Sequence, residues 1–167
     1  MNAEQLKACQ TPLKARYKDD PPTAQVTMHA SGTLGTDNIT CDVATPAGII
    51  EAGLHPLAGG EEHWACSGEM LLQSLVACAG VTLKAVATAL EIPLRGGRIR
   101  AEGDLDFRGT LGVSKETPIG FQRIRLRFEL DSDATPEQKQ RLLSLTERFC
   151  VIFQTLKSPA AITSEII

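Results

Sequence analysis

Apolar and polar residues alternate singly along two stretches of this chain and merge into one continuous apolar run along a third. Ile99, Ala101, Gly103, Leu105 and Phe107 fall on one side of the first stretch, opposite Arg98, Arg100, Glu102, Asp104, Asp106 and Arg108. In the second, Ile124, Leu126, Phe128 and Leu130 alternate with Arg123, Arg125, Arg127 and Glu129. A period of two marks a strand with one buried and one wet face, as in an antiparallel sheet covered on one side. The mixed signs on the wet faces predict cross-strand pairing in solvent rather than an anion site. A weaker alternation (Ala24, Val26, Met28, Ala30) predicts an earlier strand. Gly35-Thr36-Asp37-Asn38 then predicts a turn, Ile39–Val43 a further strand, Pro46–Gly60 a long loop, and Ala161–Ile167 a closing edge strand.

The continuous apolar run predicts a helix over Gly68–Leu90. Met70, Leu71, Leu72, Leu75, Val76, Val81, Leu83, Val86 and Leu90 leave no room for a polar face. Such a helix is buried all round or crosses a membrane. Its uncharged part, the 14 residues from Met70 to Leu83, is closed by Lys84 and falls short of the about 20 that a span needs. The expectation is therefore a central core helix, stopped by Pro93. A second helix begins with Thr135 as N-cap, Pro136 at N1 and Gln138 completing a capping box. It carries Leu142, Leu145 and Phe149 at helical spacing, with Leu143 and Cys150 one heptad apart. Ala3–Cys9 reads as a short helix halted at Thr11-Pro12, and Asp19-Asp20-Pro21-Pro22 as a stop. Residues 1–22 are accordingly an N-terminal extension ahead of a domain spanning 23–167. Two helices and about six strands, grouped rather than alternating, make the class α+β.

Composition narrows the function classes. A chain of 167 residues is one domain by length. A formal charge of −3 offers no general attraction to nucleic acid or anionic membrane, and an aromatic content of 4% supplies no base-stacking platform. The opening residues lack a basic start followed by an apolar run, so a cytoplasmic location is expected. Five cysteines (Cys9, Cys41, Cys66, Cys78, Cys150) form an odd set with no C-x-x-C pair. That pattern suits neither a disulfide framework nor structural zinc, and in a reducing compartment the thiols would be free at rest.

Two of these cysteines lie in apolar helical contexts: Cys78 in Ser74-Leu75-Val76-Ala77-Cys78-Ala79-Gly80-Val81-Thr82-Leu83, and Cys150 in Arg148-Phe149-Cys150-Val151-Ile152-Phe153. Taken alone, each reads as a small core filler. Together their surroundings carry more. Glu69-Met70-Leu71-Leu72-Gln73-Ser74-Leu75-Val76-Ala77-Cys78 resembles the central-helix motif of the OsmC/Ohr family, and Arg148-Phe149-Cys150 with Gln154-Thr155-Leu156 resembles that family's second cysteine motif. The resemblance covers Val26 to the C-terminus. Within it, Ala79 stands where an aromatic commonly follows the first cysteine, and Val151 where a proline commonly follows the second.

The resemblance implies curved antiparallel sheets wrapped around a long buried central helix in an intertwined homodimer. It implies a thiol-dependent peroxidase acting on organic hydroperoxides in oxidative-stress defence. Cys78 would attack as the thiolate, the nucleophilic form, and Cys150 would condense with the resulting sulfenic acid to a disulfide. Glu69 and Arg16, the sole arginine before Arg95, would steady the thiolate and the departing alkoxide. A dithiol, such as a lipoyl group, would return the electrons, with no flavin, haem or metal required. Leu71, Leu75, Phe149 and Phe153 would line a cleft suited to an alkyl tail. Two other readings stay open. Cys66 could resolve in place of Cys150, or His63 and Cys66 could join Cys78 and His29 or His55 around a metal. The rival class is a non-enzymatic module of the same fold that binds a small ligand or partner.

Overall fold

A computed structural model describes all residues, Met1–Ile167, and the fold is α+β. The chain forms two compact units, one from Met1–Ala24, Ser74–Arg100 and Arg127–Ile167, the other from Gln25–Gln73 and Ala101–Leu126.

In the first unit, α1 (Ala3–Asp19) starts from an Asn2–Gln5 capping box and runs through Pro12, whereas the sequence predicts a stop there. Proline costs the helix one backbone bond. The bond lost is the one to the Ala8 carbonyl; one position earlier, the Thr11 hydroxyl donates to the Lys7 carbonyl at 2.8 Å. Helix α2 (Ser67–Ala89), which belongs to this unit from Ser74 onward, matches the predicted long helix. Although apolar on every side, it seals only the stripe Leu75, Ala79, Leu83 and Ala87, one residue every four along a single face. Val81, on another face, is 74% exposed. By length and composition α2 could also cross a bilayer, its best window reaching a mean hydropathy of 1.7 despite Lys84. The core of the unit gathers Leu83, Ala87, Ile92, Ala134 and Leu142, with Phe128 and Leu130 packed against them. Leu142 comes from α4 (Pro136–Phe149), which opens with the predicted Thr135–Gln138 box. A fourth helix of the unit, α5 (Val151–Lys157), follows after one residue. The predicted C-terminal strand is absent: nothing after Lys157 is regular, and Ile162 is 91% exposed, so no neighbour within the chain pairs with it.

The second unit holds a four-stranded sheet in the order β1 (Gly32–Leu34), β2 (Thr40–Thr45), β3 (Gly48–Gly53), β4 (Ala65–Cys66). The first two pairings are antiparallel and β3–β4 is parallel, so this sheet is mixed rather than wholly antiparallel. Strand β3 lies in the stretch expected to be loop. The hairpin turns over Pro46-Ala47 into Gly48 at φ +131°, with the Thr45 hydroxyl donating to the Gly48 carbonyl at 2.6 Å. Gly53 is bare for a reason: a Cβ there would sit 2.6 Å from the Trp64 ring. The alternation at residues 24–31 does not become a strand. Val26 and Met28, 81% and 88% exposed, have no apolar face within the chain to lie against.

The two charged-alternating stretches form the second sheet, β5 (Gly96–Asp104) with β6 (Arg123–Asp131). The Arg95 N–H donates to the Asp131 carbonyl at 3.0 Å and the Gln122 N–H to the Asp104 carbonyl at 2.9 Å. These bonds join opposite ends, which makes the pair antiparallel. Past Asp104 the expected alternation breaks into a short helical turn, α3 (Phe107–Thr110), capped by Asp106. The wet face carries the predicted mixed pairing: Arg125 bridges Glu102 at 3.1 Å and Asp104 at 2.5 Å, and Arg95 clamps Asp131 and Asp133.

Candidate active site

Cys78 and Cys150, both in the first unit, are brought together by an interruption that the heptad spacing does not reveal. Helix α4 ends at Cys150, whose φ of −75° and ψ of 110° are extended. The Cys150 N–H still bonds the Thr146 carbonyl at 2.9 Å, and its own carbonyl accepts the Gln154 N–H at 3.0 Å. Its sulfur accepts the Phe153 N–H at 3.5 Å. One residue thus closes α4 and caps α5, and the first N–H groups of α5 are left free for an outside acceptor.

That acceptor is Cys78. Burial pushes its thiol up, but the backbone N–H of Ile152, the Cys150 side chain, the backbone N–H of Val151 and the Thr82 side chain, taken together, hold it below the ordinary thiol range. Val151 matters here because proline would have no N–H to offer. Cys150 is shifted the opposite way. Burial is the main cause, and the adjacent Cys78 adds to it, against the opposing pull of the Phe153 N–H. At 1% exposure Cys150 is sealed, while Cys78 is only partly buried. The partly exposed Cys78 thiol is thus shifted toward ionisation, and the sealed Cys150 thiol beside it is shifted away from it.

Beside the pair, a groove of about 680 Å³ runs along α2. Val81, Thr82, Ala85 and Val86 form one wall, Leu13 and Tyr17 of α1 the other, and Phe149 also contributes. Of the apolar residues expected to line a cleft, Phe149 lines this groove. Leu75 is sealed in the core at 1% exposure. The α1 wall carries no motif, and only the fold reveals it.

A sequence model described as OsmC-like protein matches residues 60–165, which take in both cysteines. The chain belongs to the OsmC-like family. Solved structures agree on the fold. This OsmC-like chain is similar to an OsmC-like protein from Mycoplasma pneumoniae, at 16% identity over 81% of this chain and 90% of that one, with a TM-score of 0.67. It is also similar to an organic hydroperoxide resistance protein OsmC from Legionella pneumophila, at 14% identity, 80% and 93% coverage and a TM-score of 0.60. For the organic hydroperoxide resistance protein OhrB of Bacillus subtilis the values are 18%, 79% and 93%, with a TM-score of 0.54. No curated protein sequence matches.

The remaining predicted site residues of this OsmC-like chain are not among the groups acting on the two thiols. Arg16, on α1, lies over the Tyr17 ring at 5.2 Å and is exposed. Glu69 is an exposed first-turn acid of α2, where the helix dipole favours a carboxylate. Neither is among the groups acting on Cys78. His63 faces Glu61 at 3.4 Å, and no three His, Cys, Asp or Glu side chains converge as a metal site. Thr82 and the N–H groups of Val151 and Ile152, none of them singled out by the sequence, act on the Cys78 thiol. The i+4 spacing of Thr82 from Cys78 was a usable signal, whereas the helix break had none.

Proposed function

We propose that the chain is a thiol peroxidase for organic hydroperoxides, a reading carried by the opposed shifts of two adjoining thiols. The Cys78 thiolate attacks the distal peroxide oxygen. The O–O bond breaks, the sulfur takes the OH as sulfenic acid, and the alkoxide leaves and takes a proton from water to become the alcohol. The Cys150 thiol then attacks the sulfenic sulfur, an S–S bond forms, and the hydroxyl departs as water with the Cys150 proton. An external dithiol reduces the disulfide by exchange and is itself oxidised. The relatives named for organic hydroperoxide resistance support this direction. The apolar groove at Thr82 and Phe149 favours a substrate with a carbon tail. A reducing compartment such as the cytoplasm suits five free thiols and a dithiol donor.

The assembly in this reading is a homodimer. A helix apolar on every side but sealed along one stripe leaves exposed apolar positions outside the groove, such as Leu71, for a second copy to cover. Arg16 and Glu69, exposed in one chain, are then available to approach the thiolate of the other. Light scattering should return twice the 17.9 kDa chain mass. A single-chain mass throughout the micromolar range contradicts the dimer.

One equivalent of cumene hydroperoxide should convert the reduced protein to a form lighter by two hydrogens, with peptide mapping placing the bond between Cys78 and Cys150. A Cys66–Cys78 bond would transfer the resolving role to Cys66. Unchanged mass would remove the peroxidase reading and leave the binding module.

A further inference from the structure

We propose that the groove between α1 and α2 binds a monomeric anionic amphiphile, a medium-chain carboxylate, with its alkyl chain along α2 and its head at Lys14. The groove holds about 680 Å³, within the range of small-molecule sites. Its α2 wall runs from Val81 to Ala89, about 12 Å along the helix axis, which leaves room for an extended chain. The lining is mainly apolar, and Lys14 is the one charged side chain in it. A second cavity, of about 560 Å³, shares Leu6, Gln10, Lys14 and Ala89 with the groove, so the two are continuous. Lys7, Glu4 and Glu91 complete its charged lining. Neither these three nor Lys14 makes an ion pair. Lys7 and Lys14 balance the two acids, and at the junction with the apolar groove the charge is that of Lys14. An apolar trough ending at an unpaired ammonium matches the two parts of an anionic amphiphile.

The α1 wall can also yield. Helix α1 buries no residue, and each of its hydrogen bonds stays between residues 2 and 20. Nothing polar fastens it to α2, so a chain entering the groove displaces water without breaking a hydrogen bond. This wall also lies outside residues 60–165, the part that matches the OsmC-like family model. The inference needs neither the thiol pair nor a peroxide.

Calorimetric titration of the reduced full-length protein with sodium decanoate, below its micellar concentration, tests this. Binding should saturate at one decanoate per chain, and octanoate should bind roughly tenfold more weakly for its two missing CH₂ groups. Lys14→Glu should weaken decanoate about fivefold and leave the uncharged decanol unaffected. Leu13→Asp, at a position 41% exposed, places a charge in the apolar wall and should weaken both ligands at least about tenfold. Leu13→Gln provides the same comparison should the aspartate variant not fold. The proposal is overturned by the absence of saturable binding, by an unchanged affinity in Lys14→Glu, or by full affinity in the Leu13 variant. Tighter binding of decylammonium than of decanoate would give the junction to Glu4 and Glu91 and overturn it too. A wild type that binds no decanoate, with a Leu13→Asp variant of half the wild-type mass by light scattering, would assign the groove to a second copy instead. Decanoate binding with a failed cumene hydroperoxide titration would remove the peroxidase reading and leave this site in place.

Discussion

With Cys78→Ser, consumption of cumene hydroperoxide in the presence of a dithiol should fall at least about a thousandfold, to the rate of the dithiol alone. A serine hydroxyl is not ionised under the conditions that leave a depressed thiol ionised. The donors that favour the Cys78 thiolate would meet a neutral, weakly nucleophilic oxygen. Cys150→Ser should behave differently. Its first turnover should proceed, because the N–H groups of Ile152 and Val151 remain aimed at Cys78. The sulfenic acid then has no adjoining thiol to condense with, and excess peroxide should carry it to the irreversible sulfinic acid. Wild-type turnover in Cys78→Ser would exclude this thiol as nucleophile. Sustained turnover in Cys150→Ser would exclude Cys150 as resolver.

Leu142→Ala should lower stability by about 3 kcal/mol, within the range seen for truncating a sealed leucine. The side chain is 1% exposed and joins α4 to the α2 residues Leu83 and Ala87 and to Ile92 and Ala134. Its loss opens a cavity where two helices meet, and the helical frame around it cannot close in. Urea unfolding of the reduced protein at fixed concentration measures the effect, since an associating chain has concentration-dependent stability. A change under about 1 kcal/mol would show that this cluster is not the energetic core.

Elements whose chemistry is local were legible in the sequence. Thr135, Pro136 and Gln138 announced α4 because a capping box needs only neighbouring residues. The β5 and β6 alternation held because one face of each is charged and solvated. The Asn2–Gln5 cap was equally local and was passed over, as was the Pro46–Gly48 turn that makes β3 possible. Failures clustered where burial depends on partners. Val26, Met28 and Ile162 have strand-like neighbours but nothing in the chain to pair with. At the site, the two cysteines were found through their motifs, while the means of lowering the Cys78 pKa was not. That means is a backbone break at Cys150, with no side-chain signature, and it fixes where two N–H groups point.

The break has a mechanical consequence for the reaction. Cys150 is anchored through its own peptide to both flanking helices, by its N–H to Thr146 and its carbonyl to Gln154. Its sulfur meets the Cys78 side chain while accepting the Phe153 N–H. In the proposed peroxidase cycle, capture of the sulfenic acid would then begin from a sulfur whose backbone is already fixed, with little ordering entropy to lose.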